Sequence, residues 1–148
     1  MKALSVRQPW AFLICSGKKK CENRSWQNSI KGRVLIHSPA LRARVAPPVS
    51  DPRVNVRSAI IGAVTIVGCY TLEAYIRTYG ASEFVEGPWC FRLENPIFFD
   101  KPISFPGALK FFEVPDELVI EALQQTQMQD KEVKRHSTGR QKHQSHSQ

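Results

Sequence analysis

No stretch of this 148-residue sequence approaches the roughly 20 apolar residues that span a bilayer. The longest apolar run, residues 59–70, is interrupted by Gly62 and Gly68. Arg7 falls inside the first apolar patch, so the N-terminus does not read as a secretion signal. A cytoplasmic protein without a membrane partner is expected. Cysteine is sparse and scattered. Cys15, Cys21, Cys69 and Cys90 form no C-x-x-C pair, which argues against zinc. No compact carboxylate cluster offers a hard-cation site, and neither a metal nor another cofactor is expected. Internal repeats are absent. Acidic residues are also in short supply, 13 against 21 Lys and Arg, for a net charge of +8.

The excess is spread over the chain. Residues 126–148 hold five basic and two acidic residues, which leaves +5 on the rest. A basic body favours polyanions through counterion release, without specifying which. Past residue 125, Gln, Lys, His and Ser dominate and apolar residues nearly vanish. Such a segment cannot bury enough surface to offset ordering. The expectation is a domain over 1–125 and a disordered basic tail over 126–148, with His136, His143 and His146 solvated.

Within the domain, the pattern predicts short strands with a few short helices. Residues 3–6 read as a strand. Pro9 and 10–16 make one or two helical turns, closed by Gly17. Residues 20–24 and 33–37 continue as strands. Pro39, Pro47, Pro48 and Pro52 break the next region into a helical turn at 41–44 and an arginine-rich loop. That loop is either a solvated surface or a flap over an anionic ligand. Residues 59–70 make the clearest strand, with glycines marking bends. Thr71 is an N-cap for a helix over 72–79 that Gly80 ends. Residues 89–93 read as a strand stopped by Asn95-Pro96, and 109–114 as the last one. A helix follows from Asp116 to about Gln125.

The densest polar stretch is Gly17-Lys18-Lys19-Lys20-Cys21-Glu22-Asn23-Arg24-Ser25-Trp26. It follows directly on the apolar patch Trp10–Cys15, so its charges are delivered to one place by a buried anchor. In an extended chain Lys20, Glu22 and Arg24 share one face. Polar groups on both faces suit a cleft better than a plain wall. Lys19, Arg24 and Arg7 can hold phosphate or a base edge. Glu22, ionised among cations, would accept from N–H donors such as an exocyclic amine. Gln8 offers both donor and acceptor. Trp10, Trp26 and Trp89 are either stacking platforms or core. Cys21 is either a thiol activated by lysines or a small core residue.

Gly17, Lys19, Glu22 and Arg24 fit G-x-K-x-x-E-x-R, which resembles the motif of ASCH domains, relatives of the PUA-like RNA-binding barrels. The upstream Leu4–Trp10 and the downstream Lys31–His37 resemble that family's flanking strands. The resemblance implies a mixed α/β fold: a small, PUA-like, mostly antiparallel β-barrel with short flanking helices. It also implies a cleft around this strand for RNA or a modified nucleoside, with Ser5, Arg7, Gln8, Lys19, Glu22, Arg24, Trp26 and Trp89 as ligand-binding candidates. Some family members resemble amidohydrolases that pair the motif lysine with a threonine and a downstream glutamate. Here Glu22 stands at the threonine position, and Glu73, Glu83 and Glu86 are all candidates for the downstream partner. The alternative is therefore a small hydrolase, acting on an N-acylated nucleoside or on RNA, with Lys19 and Glu22 as an acid–base pair.

Overall fold

The structure is a computed structural model that describes residues 1–144. Among the described residues, six strands form a single sheet: β1 (Lys2–Ser5), β2 (Cys21–Arg24), β3 (Gly32–Ser38), β4 (Ala59–Thr71), β5 (Trp89–Ser104) and β6 (Phe111–Glu113). The order is β2-β5-β4-β3-β1-β6. Only β1 and β3 run parallel; the other pairs are antiparallel. The fold is mixed α/β, with a mostly antiparallel sheet and short helices, as expected. The sheet curls into a half-barrel rather than closing, with β2 and β6 as its edges. Trp26 packs across the opening, 5.4 Å from the Phe91 ring and 5.8 Å from the Phe111 ring.

Alternation along the strands buries both faces of the sheet. Leu4, Val34, Ile36, Val64 and Phe91 join Ile14 of helix α1 (Trp10–Cys15) on one side. Ala3, Leu35, Ile60, Phe99 and Val119 make a second cluster on the other. Gly17 ends α1 with φ of 81°, the left-handed turn that lets the chain reverse into β2. Helix α2 (Leu72–Tyr79) starts on Thr71, whose hydroxyl accepts from the Ala74 N–H, and ends at Gly80, as the sequence predicts.

Three local expectations are corrected. Asn95-Pro96 does not stop a strand: β5 continues through it. Glu94 pairs with Thr65 and Ile97 with Ala63, so the two residues between them form a bulge. Asn95 takes φ of 50°, which asparagine tolerates, and proline fits a bulge because its missing N–H is not needed there. The helical turn expected at 41–44 is absent, and a 3₁₀ turn forms instead at Pro52–Asn55, capped by Asp51. At the C-terminus a 3₁₀ turn at Asp116–Leu118 precedes helix α3, Ile120–Gln144.

Helix α3 runs well past residue 125, where the sequence suggests disorder. Its residues are rich in Gln with several Lys and Arg, which are good helix formers, and the stretch contains no proline. Gln129 Nε2 donates to Asp100 on β5 at 2.6 Å. Residues 145–148, including His146, and the side chain of His143 lie outside the described residues. Among the described residues, no helix is long and apolar enough to cross a membrane.

Two strands approach closely at Gly62. A Cβ there would lie 2.1 Å from the Ile97 carbonyl oxygen and 2.9 Å from Cys15 Sγ. Gly62→Ala is expected to destabilise the fold by about 3 kcal/mol, measured as a lowered urea midpoint with an unchanged slope.

Candidate functional site

Glycine, lysine, glutamate and arginine of the motif converge because a helix end and a strand share ten residues. Gly17 turns the chain, and the Lys19 N–H donates to the Leu13 carbonyl, so Lys19 folds back against α1. Its ammonium donates to the Cys21 carbonyl and, at 2.9 Å, to Glu22 Oε1. Arg24 Nη2 donates to Glu22 Oε2 at 3.2 Å and to the Ser5 carbonyl on β1 at 2.8 Å. Lys19 and Glu22 are almost fully buried, with side chains 4% and 9% exposed, while Arg24 is 23% exposed. Burial by itself would raise the Glu22 carboxyl. The charges and hydrogen bonds of Lys19 and Arg24 outweigh it and hold the group below the ordinary carboxylate range.

This triad forms one wall of a cleft of about 1120 Å³. Ser5, Arg7, Trp10, Lys19, Glu22 and Arg24 all line it. Opposite walls come from the 39–45 loop, the 83–86 loop and the 107–110 loop. Trp10 is half-buried, with Phe84 edge-on at 6.1 Å and the Lys19 ammonium 5.7 Å from its ring. Three apolar side chains at this cleft are strongly exposed: Leu41, Val45 and Leu109. Arg44 and Lys110 stand beside them.

The eight ligand-binding candidates divide. Ser5, Arg7, Lys19, Glu22 and Arg24 come together in the cleft. Gln8 does not: it is fully buried, accepting from the Phe12 N–H and donating to the Arg53 and Val56 carbonyls. Its donor and acceptor are spent on capping α1 and pinning the 53–56 segment. Trp26 and Trp89 pack against the core cluster, outside the cleft lining. Trp26 holds the open side of the half-barrel, and Trp89 pairs with Arg24 and Thr71 in the sheet. The reactive reading of Cys21 is likewise corrected: it is buried, and desolvation pushes its thiol up to about 12.

Two contributors escape sequence reading. Asn23, an unassigned position within the motif, accepts from the Glu86 and Gly87 N–H groups and donates to the Phe84 carbonyl, each at 2.9 Å. It fixes the wall that carries Phe84. His37 sits at the end of an apolar strand, fully buried, with Nδ1 3.0 Å from Ser5 Oγ. The only sequence signal for it is a polar ring closing the run Val34-Leu35-Ile36.

Comparison with known proteins points one way. The family model described as ASCH domain matches residues 4–103. Human "Activating signal cointegrator 1" is 26% identical in an alignment 118 positions long that covers 70% of this chain. The chain spans about a fifth of that relative's length, 20%. The ASCH protein of Zymomonas mobilis aligns at TM-score 0.52 and 19% identity, over 82% of this chain and 92% of that one. A tyrosine-to-phenylalanine variant of it aligns at TM-score 0.55 and 17% identity, over 83% and 96%. These structural likenesses bear on the fold.

The buried triad makes its own prediction. Glu22→Ala would leave Lys19 buried without its carboxylate, and a loss of about 3–5 kcal/mol is expected. The folded Glu22 carboxyl lies below its unfolded value. Its contribution is therefore complete above the ordinary carboxylate range and is lost as pH falls through the folded value. Urea midpoints measured between pH 7 and pH 3 should fall more steeply for the wild type than for Glu22→Gln.

Proposed function

Because this chain belongs to the ASCH domain family, we propose that the cleft binds single-stranded RNA or a modified nucleoside. The observation that carries this reading is a partly exposed aromatic ring and several cations lining one cleft. Trp10 offers a ring on which a base can stack. Arg7 is exposed, and Arg44 and Lys110 lie along the same cleft, where phosphates of a strand would run. Lys19 and Glu22 act mainly as the rigid backing that orients Arg24. The exposed Leu41, Val45 and Leu109 suit flat, weakly hydrated bases better than a bare phosphate string.

Lys19 and Glu22 as an acid–base pair receive less support. Each carboxylate oxygen already has a cationic donor, and the lysine is tied to the Cys21 carbonyl as well. An ionised, doubly engaged carboxylate has no proton to give and little freedom to take one.

Binding of nucleosides and short single-stranded RNA by calorimetry tests the reading. Trp10→Ala is expected to weaken binding by about 1–3 kcal/mol, the worth of one stacked base. Arg7→Ala should weaken RNA binding and flatten its salt dependence by about one unit of slope while leaving the melting temperature unchanged. Unchanged affinities in both variants would remove the cleft assignment. Residues 126–148 supply +3 and serve as a dispensable electrostatic appendage in this reading. Ending the chain at Gln125 should reduce the salt dependence of RNA binding and leave thermal unfolding in place.

A further inference from the structure

Ser5 and His37 are register partners on the parallel strands β1 and β3, so their side chains project from the same face. Ser5 Oγ lies 3.0 Å from His37 Nδ1. On its other side the imidazole places Nε2 2.6 Å from the Phe105 carbonyl oxygen. A carbonyl can only accept, so the proton of the neutral ring resides on Nε2. Nδ1 is left with its lone pair facing the hydroxyl, which donates to it. The order of hydrogen bonds is therefore hydroxyl to imidazole to backbone carbonyl. This is a nucleophile, a base and a group that orients the base.

The surroundings agree with that role. Burial pushes the His37 imidazole below its ordinary value, so the ring is neutral and Nδ1 unprotonated near pH 7. Ser5 and His37 both line the cleft. Gly107 closes on them: a Cβ there would lie 2.7 Å from His37 Cε1 and 3.0 Å from Ser5 Oγ. Arg24 donates to the Ser5 carbonyl, which sets a guanidinium beside the same residue.

We propose that Ser5 is a nucleophile, activated by His37, for acyl transfer from small esters or amides that carry an anionic group. In the first step Ser5 Oγ bonds to the acyl carbon while its proton passes to His37 Nδ1. The carbonyl electrons move onto oxygen and return as the bond to the alcohol or amine breaks. The leaving group takes the proton from Nδ1. Water then attacks the serine ester, gives one proton to His37 and releases the carboxylic acid. That proton returns to Ser5 Oγ, and the pair is restored. The cations of the cleft suit the anionic group of the substrate. The inference extends the cleft beyond binding and stands whether or not the ligand is a nucleoside.

A fluorophosphonate probe, which forms a bond only with activated hydroxyls, tests it on the full chain. Peptide mapping by mass spectrometry is expected to find one adduct, on Ser5, in the folded protein and none after unfolding in urea. Ser5→Ala should abolish it. His37→Gln should slow labelling by about 100-fold or more, the usual worth of a general base. Gly107→Ala should slow it too, since the new methyl displaces one partner of the pair. If His37→Gln does not fold, the comparison of folded with unfolded wild type decides. The proposal is overturned by an absent adduct, by labelling spread over other serines such as Ser58, or by a rate indifferent to a folded His37→Gln. Nucleoside and RNA binding, measured on the same samples, separates this outcome from the binding reading. An unlabelled protein that still binds would lose only the acyl-transfer step.

Discussion

The carboxylate of Glu22, gripped from one side by Lys19 and from the other by Arg24, is the interaction on which the rest of the site depends. Burying three charges is costly, and such clusters seldom add net stability over apolar packing. Their value here is geometric. Lys19 is tied to α1 and β2, while Arg24 continues past the carboxylate to the Ser5 carbonyl on β1. In the sheet, β2 and β1 are separated by β5, β4 and β3. The guanidinium therefore links two strands that the curl brings together but that share no backbone hydrogen bond. Remove the carboxylate, and each cation keeps only a backbone carbonyl as its partner.

Much of this was legible in the sequence because it rests on local chemistry. Thr71 and Gly80 bracket α2 by capping, and Gly17 supplies the left-handed turn that a reversal after α1 requires. The motif spacing then places Lys19, Glu22 and Arg24 within reach of one another. What was not legible depends on contacts distant in sequence. Gln8 reads as a versatile ligand contact until its three partners at 12, 53 and 56 are seen. Trp26 and Trp89 read as base platforms, but the open side of a half-barrel needs aromatic filling. Asn95-Pro96 is a stop signal locally, yet pairing with β4 on both sides carries β5 through it. His37 was silent because a histidine in an apolar strand declares nothing until its two ring nitrogens find partners.

The cleft is shaped mostly by loops whose positions are set from below. Asn23 lies on β2 yet holds the 84–87 backbone. The Ala43 N–H donates to the Gln8 carbonyl, and Arg57 reaches the Ala40 carbonyl, so the 39–45 wall is moored at two points. Residues on rigid elements thus orient the mobile-looking parts of the sequence, which is how a small domain can present a defined site on irregular backbone.

The open half-barrel also bears on how the chain behaves in a crowded solution. A sheet that does not close keeps two edges, and unpaired edges invite strands from other molecules. Here β2 is four residues long and β6 three. Arg24 and Trp26 occupy the space between these edges, and β6 bears Glu113, paired with Lys2. An incoming strand would find little backbone to pair with and would have to displace a partly buried guanidinium and an indole to extend the sheet. Arg24, which lines the cleft, thereby also discourages self-association through the edges.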